Sequence, residues 1–124
     1  GGNGNDVLFG HAGADDLQGG AGEDLLVGDQ IFFANLPDAV VSIHAEWISG
    51  RPYAERVANI SGAGVGPRLN GNFFLQANST AFEDGSVDLL TGERGDLDWF
   101  FYDFDQDLLG DTIEIDEEET DSDP

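Results

Sequence analysis

The feature that most constrains this chain is a nine-residue repeat at its start. Three units follow one another without a gap, GGNGNDVLF, GHAGADDLQ and GGAGEDLLV, and Gly28 begins a fourth unit that breaks off at Asp29. Each unit has glycine first and fourth, aspartate sixth and leucine eighth. Self-similarity at a fixed period is the signature of a stacked repeat architecture, which decides the fold before local propensity does.

Each unit combines a glycine turn with one carboxylate and a short apolar strand. Glycine permits the positive φ of a tight turn, whose carbonyls we expect to point inward beside the aspartate. Such hard oxygens are the ligands that Ca²⁺ prefers. Two nonapeptides make one coil, so Asp6 and Asp24 should face one another across one calcium ion, while Asp15 lies on the opposite side and needs a later partner. The alternative, a glycine-rich turn with solvated acids, predicts no regular nine-residue phase.

Residues 1–29 resemble the calcium-binding RTX repeats of bacterial type I-exported proteins, which form a parallel β-roll. In that family the aspartate side chain and the turn carbonyls bind Ca²⁺ between stacked turns. One departure is His11, which replaces the second glycine of the middle unit. The resemblance implies calcium ligands from the three aspartates and from the turn residues: Asp6, Asp15 and Asp24, with Gly2, Asn3, Gly4, Asn5, Ala12, Gly13, Gly20, Ala21, Gly22 and Glu23.

The charge balance excludes several classes of partner. The chain has no lysine, four arginines, 26 acidic residues and a formal net charge of −22. Nucleic acid binding needs clustered basic residues, so nucleic acid is excluded as a natural partner. No apolar run approaches the ~20 residues of a membrane span. There are no cysteines, so disulfides and thiolate metal sites are excluded as well.

Residues 30–60 change to helical periodicity. Leu36, Val40, Ile43 and Trp47 recur at the spacing of one helix face, and Pro37 suits a helical first turn. The stretch RPYAERVANIS restarts with proline and predicts a second short helix. Because about one and a half coils cannot bury their own core, we expect these helices to cap the repeat array.

Residues 61–102 run from a glycine- and asparagine-rich connection to two strand-like pieces, SVDLLTG and LDWFFYD. We interpret GSVDLLTGERGDLDWFF as two degenerate repeat units, with Asp88 and Asp98 in the aspartate role and Leu90 and Phe100 pointing inward. The segments AEWISGRPYAERVANISG, RLNGNFFLQ and DLDWFFYD also resemble sequences that follow RTX arrays near the C-termini of very large bacterial exported proteins.

The acidic tail from 103 to 124 offers a second candidate metal site. In DFDQDLLGDTIE the acidic residues occupy positions 1, 3, 5, 9 and 12 of an EF-hand-like loop, but position six is Leu108 where the sharp turn requires glycine. A solvated, disordered tail is the competing interpretation. The candidate ligands are Asp103, Asp105, Asp107, Asp111 and Glu114.

The sequence thus predicts a mainly β fold with a small helical part: a short parallel β-roll capped by one or two helices and further short strands, with a disordered acidic tail. We divide it into the β-roll at 1–29, a helical insertion or cap at 30–60, a loop with degenerate β-roll strands at 61–102, and the tail at 103–124. Because the chain lacks methionine and begins inside a repeat, we expect it to belong to a longer protein.

The leading functional hypothesis is a non-catalytic Ca²⁺-binding module that folds on calcium after export. Its expected location is extracellular, secreted or on a bacterial surface, with the type I secretion apparatus as a partner. Two alternatives stay open. One is an adhesion module that binds a protein or glycan on a calcium-stiffened stalk, which an exposed patch of Phe73, Phe74, Trp99 and Phe101 would favour. The other is the tail of a secreted lipase or protease whose catalytic domain lies upstream.

Overall fold

The computed structural model describes residues 1–11, 13–28, 30–33, 35–76, 80–82, 89–92, 97–102, 108–109 and 118–121, the last two ranges by their backbone. Short strands and two helices make up these ranges. In chain order the elements are β1 (Gly2–Asn3), β2 (Val7–Phe9), β3 (Asp16–Gln18), β4 (Gly20–Ala21), β5 (Leu25–Val27), β6 (Gln30–Ile31), α1 (Leu36–Trp47), α2 (Tyr53–Ser61), β7 (Ala81–Phe82), β8 (Leu89–Thr91), β9 (Trp99–Tyr102), β10 (Leu108–Leu109) and β11 (Glu118–Asp121).

Two parallel sheets carry the repeat strands. The larger sheet has the order β11-β9-β5-β2, and the smaller has the order β10-β8-β3. Alternate nonapeptides therefore contribute to opposite sheets: β2 pairs in parallel with β5, placing Val7 opposite Leu25, while β3 pairs with β8. The prediction of a mainly β fold with parallel strands and a small helical part is confirmed.

The leucine at position eight of each unit lies between the two sheets. Successive side chains of a strand point to opposite faces, so one face of each sheet carries these leucines. They form a buried cluster with the residues at the matching places of the later strands. The expectation that Leu90 and Phe100 point inward is confirmed, since both are buried there. The cluster consists of Leu8, Leu17, Leu26, Leu90, Phe100 and Tyr102.

The two helices cover the other face of the larger sheet. In α1, the Asn35 side chain accepts a hydrogen bond from the Asp38 backbone N–H, and α2 ends at Gly62 in the left-handed conformation. Ile43 and Trp47 are completely buried against the outward side chains of β5 and β9, as predicted. The helices therefore lie against the outer face of the larger sheet. Neither described helix has the length and apolar character needed to cross a membrane.

The helices belong to an insertion within the strand series. Just after β5, the short strand β6 pairs antiparallel with β7, placing Ile31 opposite Ala81 and bringing the two ends of the segment together. Beyond it, parallel pairing resumes, because β8 joins β3 and β9 joins β5. We refer to residues 30–82 as the helical insertion.

The predicted disorder of the acidic tail is wrong for two short segments. Leu108–Leu109 pairs in parallel with β8, and Glu118–Asp121 pairs in parallel with β9. An open sheet edge presents unpaired N–H and C=O groups, and these segments satisfy them despite the acidic composition. The five candidate ligands of the EF-hand-like loop, Asp103, Asp105, Asp107, Asp111 and Glu114, lie outside the described residues.

Candidate metal centre

The glycine turns of the first and third units lie directly against one another. Gly2 pairs with Gly20 across β1 and β4, and both have positive φ, near 100° and 90°. A Cβ added to Gly22 would lie under 3.0 Å from the Gly4 carbonyl oxygen, and one added to Gly20 would meet the Gly2 carbonyl oxygen equally closely. The turns thus require glycine both for conformation and for space, and the carbonyl oxygens of one turn face the next.

Each repeat aspartate occupies the space next to the first glycine of its own unit. A Cβ added to Gly19 would collide with the Asp24 carboxylate, and the same holds for Gly1 with Asp6 and for Gly10 with Asp15. The Oδ2 atoms of these three aspartates are buried, and that of Asp6 has no hydrogen-bond partner among the described residues. A buried carboxylate oxygen without a donor is costly, so this position favours a bound cation.

The aspartates of alternate units form a column along one edge of the larger sheet. The Asp6 backbone N–H donates to Asp24 Oδ1 over 2.9 Å, across 18 residues of sequence. The Asp24 N–H donates in the same way to Asp98 Oδ1 over 2.8 Å. Asp24 and Asp98 are both completely buried. The structure therefore brings together Asp6, Asp24 and Asp98, in that order.

This arrangement is electrostatically unfavourable without a cation. Neighbouring strands lie about 4.8 Å apart, and two like charges at that distance repel by roughly 3 kcal/mol at an effective dielectric constant of about 20. Among the described residues, no group of three or more histidine, cysteine, aspartate or glutamate side chains could hold a metal by itself. A metal at these turns would therefore need carbonyl oxygens as well as carboxylates. That oxygen-only donor set fits Ca²⁺, which takes 6–8 oxygen ligands.

Asp15 lies on the side of the smaller sheet, as the repeat period implies. Its carbonyl oxygen accepts a hydrogen bond from the Leu89 N–H over 2.8 Å, which matches the bond from the Leu25 N–H to the Asp6 carbonyl. Asp88 precedes Leu89 in the sequence as Asp24 precedes Leu25. Asp88 and Ala12 both lie outside the described residues.

Other predicted turn residues have specific roles in the stacking. The Asn5 side chain accepts a hydrogen bond from the Glu23 N–H over 2.9 Å, which ties the first turn to the third. Asn3 pairs with Ala21 across β1 and β4. Gly13 has φ near 100°, like the other turn glycines.

His11 shows how strongly the repeat dictates backbone conformation. It replaces a glycine, yet it has φ of 64°, the only positive value among the described non-glycine residues. Its ring lies 6.1 Å from that of Phe9. Histidine in the left-handed region is uncommon, so the stacked turns impose this conformation on it.

Contacts between the helices and the third turn were not predicted from the sequence. Trp47 Nε1 donates to the Glu23 carbonyl oxygen over 2.8 Å, and the buried Arg56 forms an ion pair with the Glu23 carboxylate. Tyr53 Oη donates to the Asp98 carbonyl oxygen over 2.7 Å. One signal was available: strand positions seven and nine are apolar in the first and third units but are Asp16 and Gln18 in the second. Among the three complete units of the array, the first and third therefore have outward apolar side chains that need covering, and the second does not.

The comparison with protein families identifies the repeat. Residues 1–30 match the family model of the RTX calcium-binding nonapeptide repeat (4 copies). This match supports an RTX repeat array in the stretch, and RTX repeats bind calcium. Comparison with curated proteins and with solved structures gives no match.

Proposed function

We propose that this chain is a calcium-binding module that folds as a short parallel β-roll after export from a bacterium. The observation that carries this proposal is the stack formed by the Asp6 and Asp24 turns. There Asp6 Oδ2 is buried with no hydrogen-bond partner among the described residues, the carbonyl oxygens of the first turn face the glycines of the third, and the stretch matches the RTX repeat. Asp6 and Asp24 would hold the ion with oxygens of the intervening turns. Bound calcium would supply the positive charge that offsets the stacked carboxylates and would cross-link turns 18 residues apart.

The proposal includes a route to folding outside the cell. Extracellular calcium modules have dissociation constants of about 10⁻⁴–10⁻³ M, so cytosolic calcium would leave such sites empty. The net charge of −22 then opposes compaction during export, for which the type I secretion apparatus is the expected route. Outside, calcium binding would drive folding. In this proposal the chain is a non-catalytic, C-terminal part of a larger secreted or surface protein, and any lipase or protease activity belongs upstream.

An adhesion module receives less support from the structure. The aromatic patch that would favour it includes Trp99 and Phe101, and both are buried against the helices. Phe73 and Phe74 are half-buried. These four side chains therefore do not form an exposed recognition surface.

Isothermal titration with calcium tests the proposal. We expect the whole chain to bind calcium, and Asp24→Ala to remove the Asp6–Asp24 site while a site at Asp15 becomes weaker but stays detectable. Asp16→Ala is the matched control, because Asp16 is an exposed aspartate of the same array and should leave the stoichiometry unchanged. Magnesium should substitute poorly, since it demands a small octahedral shell. Equal stoichiometry in Asp24→Ala and wild type would show that the ligand assignment is wrong.

A further inference from the structure

The sequence contains two Asn-Gly pairs, and the fold places their asparagines in opposite environments. The pairs are Asn3–Gly4 in the first repeat unit and Asn70–Gly71 in the loop after α2. Asn3 is exposed, whereas Asn70 is completely buried. Asparagine is a thermolabile residue, and it loses its amide most readily before glycine, because no side chain hinders attack by the glycine nitrogen. Each pair therefore can deamidate wherever its backbone and side chain are free to rotate.

Deamidation at Asn70 is an intramolecular reaction followed by hydrolysis. The Gly71 backbone nitrogen attacks Cγ of Asn70, so that a Cγ–N bond forms and the Cγ–Nδ2 bond breaks. The proton of the Gly71 N–H leaves with the Nδ2 amide group as ammonia. Water then opens the succinimide ring at either of its carbonyls and gives aspartate or isoaspartate. The reaction requires only water, and it replaces a neutral amide that donates hydrogen bonds with a charged acceptor.

The folded chain holds both groups that must move in this reaction. Asn70 Nδ2 donates to the Asn59 carbonyl and to the Phe73 carbonyl, each over 2.9 Å. The Phe73 N–H donates in turn to the Asn70 carbonyl over 3.0 Å, which closes a turn in which Gly71 has φ of 58°. Ring closure requires the side chain and the backbone to rotate together, and these bonds fix both. The reaction therefore requires this loop to open first.

The same contacts are incompatible with the product. A carboxylate at position 70 would face the two carbonyl oxygens that now accept from Nδ2. Asn70 Oδ1 is buried and has no hydrogen-bond partner among the described residues, so the charge would gain no donor there. Nearby, the buried Glu46 carboxylate already binds the Leu69 N–H and the Asn59 side chain. A second buried negative charge in this loop would be uncompensated, which is strongly destabilising.

We propose that Asn70–Gly71 is a deamidation site that reacts only while the chain is unfolded, and that its product cannot rebuild the helical insertion. The modification would then mark, irreversibly, the chains that stay unfolded for long. Asn3–Gly4 lacks this selectivity, because Asn3 is exposed in the folded chain. Folding protects Asn70 whatever drives folding. If calcium drives it, as in the proposed function, chains kept without calcium accumulate the modification.

Peptide mapping by mass spectrometry tests the protection on the full chain at mildly alkaline pH. One sample is kept in a buffer in which circular dichroism shows the chain folded, and the other in urea. In urea, Asn70 and Asn3 should react at similar rates. In the folded chain, Asn70 should react at least about ten-fold more slowly than in urea and be protected more than Asn3. Gly71→Ala should slow the reaction of Asn70 in urea and leave that of Asn3 unchanged.

Asn70→Asp tests whether the product fits, and Asn72→Asp is its matched control. Both add one charge to the same loop, but Asn72 is exposed, and its side-chain oxygen accepts from Arg68, a role that aspartate keeps. In urea denaturation, Asn70→Asp should shift the folding equilibrium toward the unfolded chain by at least about a hundred-fold. Asn72→Asp should stay near wild type. Complete loss of folding in Asn70→Asp alone also meets this expectation.

Three results would overturn the proposal: no reaction at Asn70 in urea, equal rates at Asn70 in the folded and unfolded chain, or an Asn70→Asp variant as stable as Asn72→Asp. Calcium dependence is a separate outcome of the same measurements. A chain that folds in EDTA and protects Asn70 there would contradict the proposed function and leave this modification site standing.

Discussion

In the nonapeptide turns, oxygen atoms lie against the glycines of the neighbouring turn, whereas the helical insertion is held by apolar side chains and one buried carboxylate. Each repeat strand has only three residues and contributes one leucine to the space between the sheets. In the insertion, Glu46 is completely buried and binds Arg51, Asn59 and the Leu69 N–H. That carboxylate has its partners within the protein, while Asp6 Oδ2 has none among the described residues.

This difference indicates which part of the molecule needs an ion. A buried charge is stable when it is paired and hydrogen-bonded, as Glu46 is. The turn aspartates instead stack on like charges. The insertion therefore supplies apolar packing on the outer face of the larger sheet, and the array supplies the candidate ion-binding groups. Variants that affect one part and spare the other test this division.

The largest effect is expected in the packing of the insertion. Trp47→Ala removes a fully buried ring that contacts Tyr53 and Trp99 and stacks with the Arg56 guanidinium, 4.7 Å from the ring centre. Such truncations cost about 3–5 kcal/mol. Urea denaturation in saturating calcium measures this loss in the free energy of unfolding. Ile48→Ala, one residue later and 51% exposed, should stay within about 0.5 kcal/mol of wild type. A Trp47→Ala loss below about 1 kcal/mol would contradict the packing described here.

The next effect should appear where two turns meet. Gly22 has φ of 118°, and the methyl group of Gly22→Ala would collide with the Gly4 carbonyl. Gly4 has a similar φ of 92°, but the methyl group of Gly4→Ala would meet no other atom within 4 Å. Left-handed strain alone costs roughly 1–2 kcal/mol. We therefore expect Gly4→Ala to lower the free energy of unfolding by about that amount. Gly22→Ala should lower it by at least about 1 kcal/mol more, because overpacking adds to the strain.

Gly50→Ala is the baseline for this pair, since Gly50 is exposed, has no strained φ and has open space around it. Calcium affinity further separates backbone strain from the collision between turns. Gly22→Ala should weaken calcium binding by forcing adjacent turns apart, and Gly4→Ala should do so less. Equal losses in both variants would show that the turns are not in contact.

The sequence predicts some of these features because their causes are local or periodic. The nine-residue phase places Asp24 beside Asp6, and the spacing of Ile43 and Trp47 identifies the buried face of α1. The return of the strand series after an insertion is less accessible, because pairing between β5 and β9 depends on contacts distant in sequence. The tail strands were missed because acidic composition favours disorder, while the sheet edges that pair with Leu108–Leu109 and Glu118–Asp121 exist only in the folded chain.

The candidate site was predictable to a similar degree. Asp98 could be assigned from its place in a degenerate unit, although the extra residue before it obscures the period. The contacts of Tyr53 and Arg56 with the turns could not be predicted from the sequence. Periodicity shows which helix face is buried, but it does not show which groups of the turns that face meets.

The smallest effect is expected at His11. His11→Gly relieves a left-handed conformation but adds freedom to the unfolded chain, so stability should change by less than about 1 kcal/mol. His11→Val places a β-branched side chain at the same φ and should lose about 1 kcal/mol or more. Thermal denaturation in saturating calcium distinguishes them. A valine variant as stable as the glycine variant would mean that the middle turn lacks this conformation.

The most direct test of the central claim is far-ultraviolet circular dichroism of the whole chain in EDTA, in millimolar calcium and in high sodium chloride. Sodium chloride screens repulsion among the acidic residues without bridging turns, so it separates charge neutralisation from specific binding. We predict little β-structure in EDTA, a cooperative gain with calcium, and no comparable gain with sodium or with equimolar magnesium. If sodium chloride alone produced the same spectrum as calcium, the chain would be an acidic domain that needs only screening, and the calcium-dependent account would be contradicted.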